Sequence, residues 1–230
     1  MKLTDLRGII FDVHRTLVDE GGFPRERIWK LMRQSGAKVS MPEYYRLYDE
    51  LTARLFNWRL YDDFITIREI HRNRLVAFYD AYDVHRDVDE DVNYLWQCME
   101  QSQMYPEVPD VLNSLNGKLK IALLSNADHD DPLIALLIES GFHFNVIVTS
   151  ESVGAYKPRP EMFRKVLQEM HCDREDVVLV GDSPVSDILG AKKYGIRVIW
   201  VNRKGASLGS EFPEPDYEIS HLNELLDIIG

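Results

Sequence analysis

The apolar run Gly8-Ile9-Ile10-Phe11 ends in Asp12 and turns at once into polar sequence, Val13-His14-Arg15-Thr16-Leu17. A buried strand that terminates this way puts a carboxylate at the carboxyl edge of a sheet, where α/β proteins keep their chemistry. One such aspartate carries little weight, because strand-terminal Asp residues are often helix caps or turn formers. Three further clusters, however, each come after an apolar run. Ser125-Asn126 follow the run Leu119 to Leu124. Lys157-Pro158 lie beyond Phe144 to Val148. Gly181-Asp182-Ser183 follow Val177 to Val180, with Asp187 one helical turn on. Singly, Ser125 and Ser183 read as helix caps, Asn126 as a turn residue and Lys157 as a solvated loop charge. Together, four chemically useful clusters at one sheet edge exceed what capping explains.

The elements that must position them separate into two patterns. From about Pro24 to Gln103 the sequence is helical and rich in Arg and Tyr, with helices expected over Arg25 to Gln34, Pro42 to Asn57, Asp63 to Tyr82 and Asp87 to Gln103. From Lys118 onward short apolar strands alternate with amphipathic helices. Strands are expected at Leu119 to Leu124, Phe144 to Val148, Val177 to Val180 and Ile196 to Val201, and helices near Pro132 to Glu139, Pro160 to Met170 and Val185 to Tyr194. That alternation implies βαβ units and a mainly parallel sheet with right-handed crossovers. The isolated first strand, Arg7 to Asp12, joins the same sheet if the helical block is an insertion after it. The expected fold is therefore α/β: a doubly wound, parallel-sheet, Rossmann-like core over residues 1–16 and 105–230, with a helical domain over 17–104.

Composition narrows the partners. The chain has 230 residues, 45% of them hydrophobic, enough for a sizeable core. A net charge of −11 weighs against nucleic acid or an anionic membrane as the main partner and leaves a small ligand as the expectation. Cys98 and Cys172 are far apart and suggest neither a disulfide framework nor a zinc site. No cleavable hydrophobic segment opens the chain and no apolar stretch approaches transmembrane length, so a soluble cytoplasmic protein, monomer or homodimer, is expected. His71, His85 and His129 show no ligand spacing and read as surface or packing residues.

The four clusters resemble the motifs of the haloacid dehalogenase superfamily. Asp12 to Thr16 is similar to the first motif, Ser125 to the second, Lys157 to the third, and Gly181-Asp182-Ser183 through Asp187 to the fourth. The likeness extends to the flanks Tyr105-Pro106-Glu107-Val108, Ser150 to Pro158 and Asp187 to Ala191. It implies that the helical block is a cap that closes over the site and selects substrate. It also implies a phosphatase in which Asp12 attacks phosphorus, with Mg2+ neutralising the repulsion between anions. The metal ligands it implies are Asp12, the backbone carbonyl of His14 and Asp182, with Asp187 acting directly or through water. Ser125, Asn126 and Thr16 would contact the substrate, a small phosphorylated metabolite, and Lys157 would hold its phosphate and Asp12.

Two departures matter. Where the family's phosphatases carry a second Asp, which protonates the leaving oxygen and then deprotonates water, this chain carries His14. Imidazole can also do acid and base work near neutral pH. Arg15 stands where the family usually has Gly, and three roles are open to it: binding substrate phosphate or carboxylate, pairing with a nearby acid, or obstructing the pocket. Two alternatives therefore stand beside the phosphatase. Haloacid dehalogenases lack an acid at the position of His14, but their fourth motif lacks the metal-binding Asp that Asp182 supplies here. A catalytically impaired protein that still binds a phosphorylated ligand is the second. A phosphonate hydrolase needs a cap lysine, and the insert offers Lys30 and Lys38 in no suggestive setting. In the insert Trp58, Arg59, Tyr61, Arg68, Arg72 and Arg74 read mainly as bundle packing with snorkelling cations. Phe23 and Asn57-Trp58-Arg59 are the candidates to reach the site.

Overall fold

The computed structural model describes residues 3, 5–21, 24–55 and 64–229. In chain order, β1 (Gly8–Phe11) and the short β2 (Val18–Asp19) precede four helices, α1 (Arg25–Gln34), α2 (Met41–Leu55), α3 (Ile67–Tyr82) and α4 (Val88–Met99). There follow β3 (Gln103–Met104), α5 (Val108–Leu115), β4 (Lys120–Ser125), α6 (Pro132–Glu139), β5 (Val146–Thr149), α7 (Ser150–Val153) and α8 (Pro160–Met170). The chain continues through β6 (Val177–Gly181), a π-helical turn (Pro184–Leu189), α9 (Gly190–Tyr194), β7 (Arg197–Val201), β8 (Tyr217–Ile219) and α10 (Leu225–Ile228). It divides into two compact units, Met1–Asp19 with Gln103–Gly230, and Glu20–Ser102.

The first unit is built on a six-stranded sheet of order β5-β4-β1-β6-β7-β8, every pairing parallel. Its strands are short apolar runs because both faces are covered. Ile10, Ala122, Leu124, Leu179 and Val198 pack with Phe163, Val166 and Met170 of α8 and with Ile188 and Ala191. Their neighbours Ile9, Phe11, Leu123, Val178 and Val180 point the other way by the period of two, and they are buried as well. Each such side chain contributes about 1.5–3 kcal/mol by leaving water. β1 lies between β4 and β6, so the chain leaves β1 to one side and later returns to the other. The crevice beyond the carboxyl end of β1 is thus a topological switch point.

The helices α6 and α8 have the expected bounds, each opening with a proline at its first position. The expected helix from Val185 splits into the π-helical turn and α9. The short pair β2 and β3 was not anticipated by the apolar pattern. Its antiparallel pairing, Val18 with Met104 and Asp19 with Gln103, carries residues 17–19 and 103–104 into the first unit, and α4 accordingly stops at Met99 rather than Gln103.

The second unit is helical. A capping box between Thr66 and Glu69 starts α3. Tyr44 stacks on Phe78 with ring centroids 5.0 Å apart, and Arg25 lies 4.0 Å over the Tyr45 ring. Arg68 sits 4.5 Å over Trp96, Arg72 pairs with Asp89 at 2.8 Å, and buried Arg74 bonds His71 at 3.0 Å. These arginines and aromatics pack the bundle. Phe23, Asn57, Trp58, Arg59 and Tyr61 lie outside the described residues. Cys98, on α4, and Cys172, just beyond α8, are both buried free thiols.

Candidate active site

Asp12 is placed by the central strand. Its backbone N–H donates to the Val180 carbonyl at 2.9 Å, extending the register of β1 on β6 by one residue. The chain then folds back: the N–H groups of Leu17 and Val18 both donate to the Val13 carbonyl, at 2.9 and 3.1 Å. This turn requires a left-handed residue, and Arg15 supplies it at φ +60°. For a residue with a Cβ that conformation costs about 1–2 kcal/mol, which is the physical reason a glycine suits the position. The turn is braced by Arg203, which donates to the Thr16 carbonyl at 3.0 Å and to buried Glu107 at 2.7 Å.

Lys157 joins the separate loops. Its Nζ donates to Asp12 Oδ1 and to Asp187 Oδ1, each at 2.7 Å, while Thr16 Oγ1 donates to Asp12 Oδ2 at 3.0 Å. Asn126 holds the lysine from behind, accepting from the Lys157 backbone N–H at 2.7 Å and donating to its carbonyl at 3.3 Å. Asp187 is turned inward by the π-helical turn, where the N–H groups of Asp187 and Ile188 both donate to the Ser183 carbonyl. Its Oδ2 accepts from the Ser183 N–H at 2.9 Å. Gly181 makes room for it, since a Cβ there would collide with the Asp187 side chain.

Asp182 faces the same space, and its Oδ2 is 3.1 Å from Nε of Arg15. His14 turns toward a different loop. Its Nε2 lies 3.1 Å from Oδ2 of Asp131, the residue that caps α6 by accepting from the N–H groups of Leu133 and Ile134. Ser125 is fully buried at the end of β4, and its hydroxyl meets no hydrogen-bond partner among the described residues. Asp12, His14, Arg15, Ser125, Asn126, Lys157, Asp182 and Asp187 all line one cavity of about 120 Å³. That is the liquid volume of about four waters, room for a tetrahedral oxyanion.

The electrostatics of the cavity call for a cation. Carboxylate oxygens of Asp12, Asp182 and Asp187 lie within 4.8 Å of one another, the one such group of acidic and metal-ligating side chains among the described residues. Burial pushes the Asp182 carboxyl up to about 7, with Asp12 and Asp187 adding to the rise and Arg15 and Lys157 opposing it. Burial likewise raises Asp187 to about 6 against the pull of Lys157. Lys157 itself is held above the usual lysine range, since its two carboxylate partners outweigh its burial. Burial would raise Asp131, but His14 and the two helix N–H groups hold it below the usual carboxylate range. Three clustered carboxylates against one buried lysine suit a hard divalent cation with oxygen ligands.

The sequence-predicted residues thus converge, but three have jobs that residue type does not reveal. Thr16 is buried and its hydroxyl is spent on Asp12; both ends of the Asn126 amide are engaged with Lys157; Arg15 takes the second of its three open roles and pairs with an acid. Ser183 does cap its turn, donated to by the Ser186 N–H, whereas among the described residues Ser125 caps nothing. Asp131 was missed. In sequence Asp131-Pro132 reads as a helix start, and nothing there points to a residue 117 positions away. His129 and His85 are exposed and His71 is buried in packing.

Comparison with known proteins fits this geometry. A family model described as a hydrolase, haloacid dehalogenase-like hydrolase, matches residues 6–195. The chain is 24% identical over 235 residues to N-acylneuraminate-9-phosphatase of Rattus norvegicus, covering 98% of this chain and 94% of that protein. It is 23% identical over 235 residues to (S)-2-haloacid dehalogenase 2 of Pseudomonas sp. (strain CBS-3), covering 99% and 97%. Its fold is similar to the crystal structure of the putative hydrolase YfnB from Bacillus subtilis bound to magnesium, with a TM-score of 0.78, 22% identity, and coverage of 98% and 99%. With its motif residues gathered at the carboxyl edge of a parallel sheet, the chain belongs to the haloacid dehalogenase-like hydrolases.

Proposed function

We propose that the protein is a magnesium-dependent phosphatase that hydrolyses a small phosphate ester through an aspartyl-phosphate at Asp12. The observation that carries this reading is the meeting of Asp12, Asp182 and Asp187 around one cavity with Lys157 and the Ser125 hydroxyl, which is unsatisfied among the described residues. Asp12, the His14 carbonyl and Asp182 would hold Mg2+, with Asp187 contributing directly or through water. Bound there, the ion would neutralise charge on the phosphoryl group and let an anionic nucleophile approach it. The full-length likeness to a phosphatase and the magnesium in the similar Bacillus subtilis structure support the same assignment.

The residues divide the work. Lys157 and Thr16 fix the Asp12 carboxylate so that an oxygen attacks phosphorus without reorganisation. Ser125 supplies a hydrogen bond to a phosphoryl oxygen, and Lys157 supplies a compact positive charge beside it. As the phosphorus–oxygen bond to the ester breaks, His14 gives its proton to the leaving alkoxide. It then takes one from the water that attacks phosphorus; the phosphorus–oxygen bond to Asp12 breaks, the carboxylate is regenerated and inorganic phosphate is released. The helical unit would act as the cap that selects substrate and excludes water. Phosphate release from a panel of sugar, nucleoside and amino-acid phosphates, with and without Mg2+, tests the assignment. Turnover that needs Mg2+ and vanishes in Asp12→Asn supports it.

A second reading is favoured by one observation: His14 stands where haloacid dehalogenases also lack an acid, and the chain aligns along its length with one of them. Asp182, whose carboxylate belongs to the acidic cluster, counts against it. Halide release from 2-haloacids with no phosphate release from any ester would replace the phosphatase by a dehalogenase. Tight binding of Mg2+ with beryllium fluoride, in the absence of either turnover, would replace it by a phospho-ligand-binding protein.

A further inference from the structure

We propose that Asp131 is a positioning residue for His14, fixing the imidazole as the Nε2–H tautomer so that Nδ1 is the nitrogen that exchanges protons with the substrate; this rests on the phosphatase reading for its catalytic consequence. An ionised carboxylate only accepts hydrogen bonds, so a ring nitrogen 3.1 Å from Asp131 Oδ2 must carry the hydrogen. Asp131 is rigidly seated to do this. Its side chain is 2% exposed, its Oδ1 accepts from the Leu133 and Ile134 N–H groups at 2.9 and 3.2 Å, and its own N–H donates to the Asp128 carbonyl at 3.3 Å. The two oxygens are therefore divided between the helix and the imidazole. His14 in turn lines the cavity that holds Asp12 and Lys157. An imidazole is bulkier than the aspartate it replaces and has two inequivalent nitrogens, so residue type alone leaves its ring orientation and tautomer undefined. A carboxylate behind it settles both, as the orienting acid does for a catalytic histidine in hydrolytic triads.

Asp131→Asn separates this role from helix capping. Asparagine caps as well as aspartate, and its single oxygen stays with the two helix N–H groups. The amide NH2 must then face His14 Nε2, which can remain next to it only as an acceptor. The ring is therefore expected to switch to the Nδ1–H tautomer. Imidazole 15N chemical shifts of the full-length protein read this directly, with the His14 signals identified by their loss in His14→Gln. The kinetic arm compares an alkyl phosphate, whose leaving group needs a proton, with 2,4-dinitrophenyl phosphate, whose leaving group does not. Asp131→Asn should lower kcat/KM, which reports only phosphoryl transfer to Asp12, by about 10²-fold for the alkyl ester and leave kcat/KM for the dinitrophenyl ester near the wild-type value, while kcat falls for both because His14 also deprotonates the attacking water. In a His14→Gln background Asp131→Asn should have no further effect. An unchanged tautomer in Asp131→Asn, or equal losses of kcat/KM on both esters, overturns the proposal. Were the wild-type protein to hydrolyse no phosphate ester, the phosphatase reading would fall. The 15N spectra would then decide by themselves whether Asp131 sets the tautomer.

Discussion

Lys157→Met should destabilise the first unit by about 3–5 kcal/mol at pH 8 without divalent cations. The lysine is 1% exposed and makes two charge-assisted hydrogen bonds of 2.7 Å, to Asp12 and Asp187. Methionine matches the length of its aliphatic stem, so the substitution leaves little cavity. What it removes is the positive charge, and stripping one partner from a buried pair typically costs that amount because the remaining charge stays desolvated. The origin of the loss fixes its pH dependence. Asp187, already raised to about 6 with the lysine present, would rise further without it. In the variant the carboxylates shed their charge by binding protons, so the deficit should shrink as pH falls from 8 to 5. Millimolar Mg2+ at pH 8 should also restore part of it. Urea unfolding with hydrogen exchange at the β1 and β6 amides confines the measurement to this unit. A deficit below about 1 kcal/mol, or one of equal size at pH 5 and pH 8, would refute the reasoning, since the latter is the signature of lost packing rather than stranded charge.

Further outcomes follow from the same cluster. Asp182 at about 7 and Asp187 at about 6 both lie above the unfolded carboxylate range. Their stabilising effect is complete below about pH 4 and lost as pH rises through 7, on the order of 2–4 kcal/mol. Thermal scans of metal-free protein should show this decline, and added Mg2+ should raise Tm more at pH 8 than at pH 5.5. Arg15→Gly removes the half-exposed guanidinium on Asp182 and relieves the left-handed backbone. Calorimetry should find Mg2+ bound up to about fivefold more tightly, the worth of an exposed ion pair, and weaker binding would contradict the competition between Arg15 and the metal. Ser125→Ala deletes a hydroxyl that is unsatisfied within the described residues. Stability should hold or rise slightly while vanadate binding weakens about tenfold, whereas a large stability loss would mean the hydroxyl serves the fold.

Much of this was legible in the sequence because the strands are buried on both faces. β1, β4, β6 and β7 announce themselves as short apolar runs, and the clusters at Asp12, Ser125 and Asp182 lie at the ends of the first three of them. Pro132 and Pro160 mark helix starts to the residue. Local signals fail where tertiary contacts decide. The two-residue strands β2 and β3 are defined by pairing with each other across the inserted helices, and no pattern of two residues can reveal that. The π-helical turn reads as ordinary helix, although its extra width aims Asp187 inward toward Lys157. The family resemblance implied substrate contacts for Thr16 and Asn126, and in the fold their hydrogen bonds go to Asp12 and Lys157. Asp131 looks like a cap, and is one; its second carboxylate oxygen is committed to His14 only through the fold.

Acid quenching of the protein during turnover of a phosphate ester with Mg2+, followed by mass spectrometry of its peptides, decides whether Asp12 is the nucleophile. One phosphoryl group is expected on the peptide containing Asp12, stable in acid, released by hydroxylamine and absent from Asp12→Asn. Turnover with no such adduct would contradict an aspartyl-phosphate at Asp12.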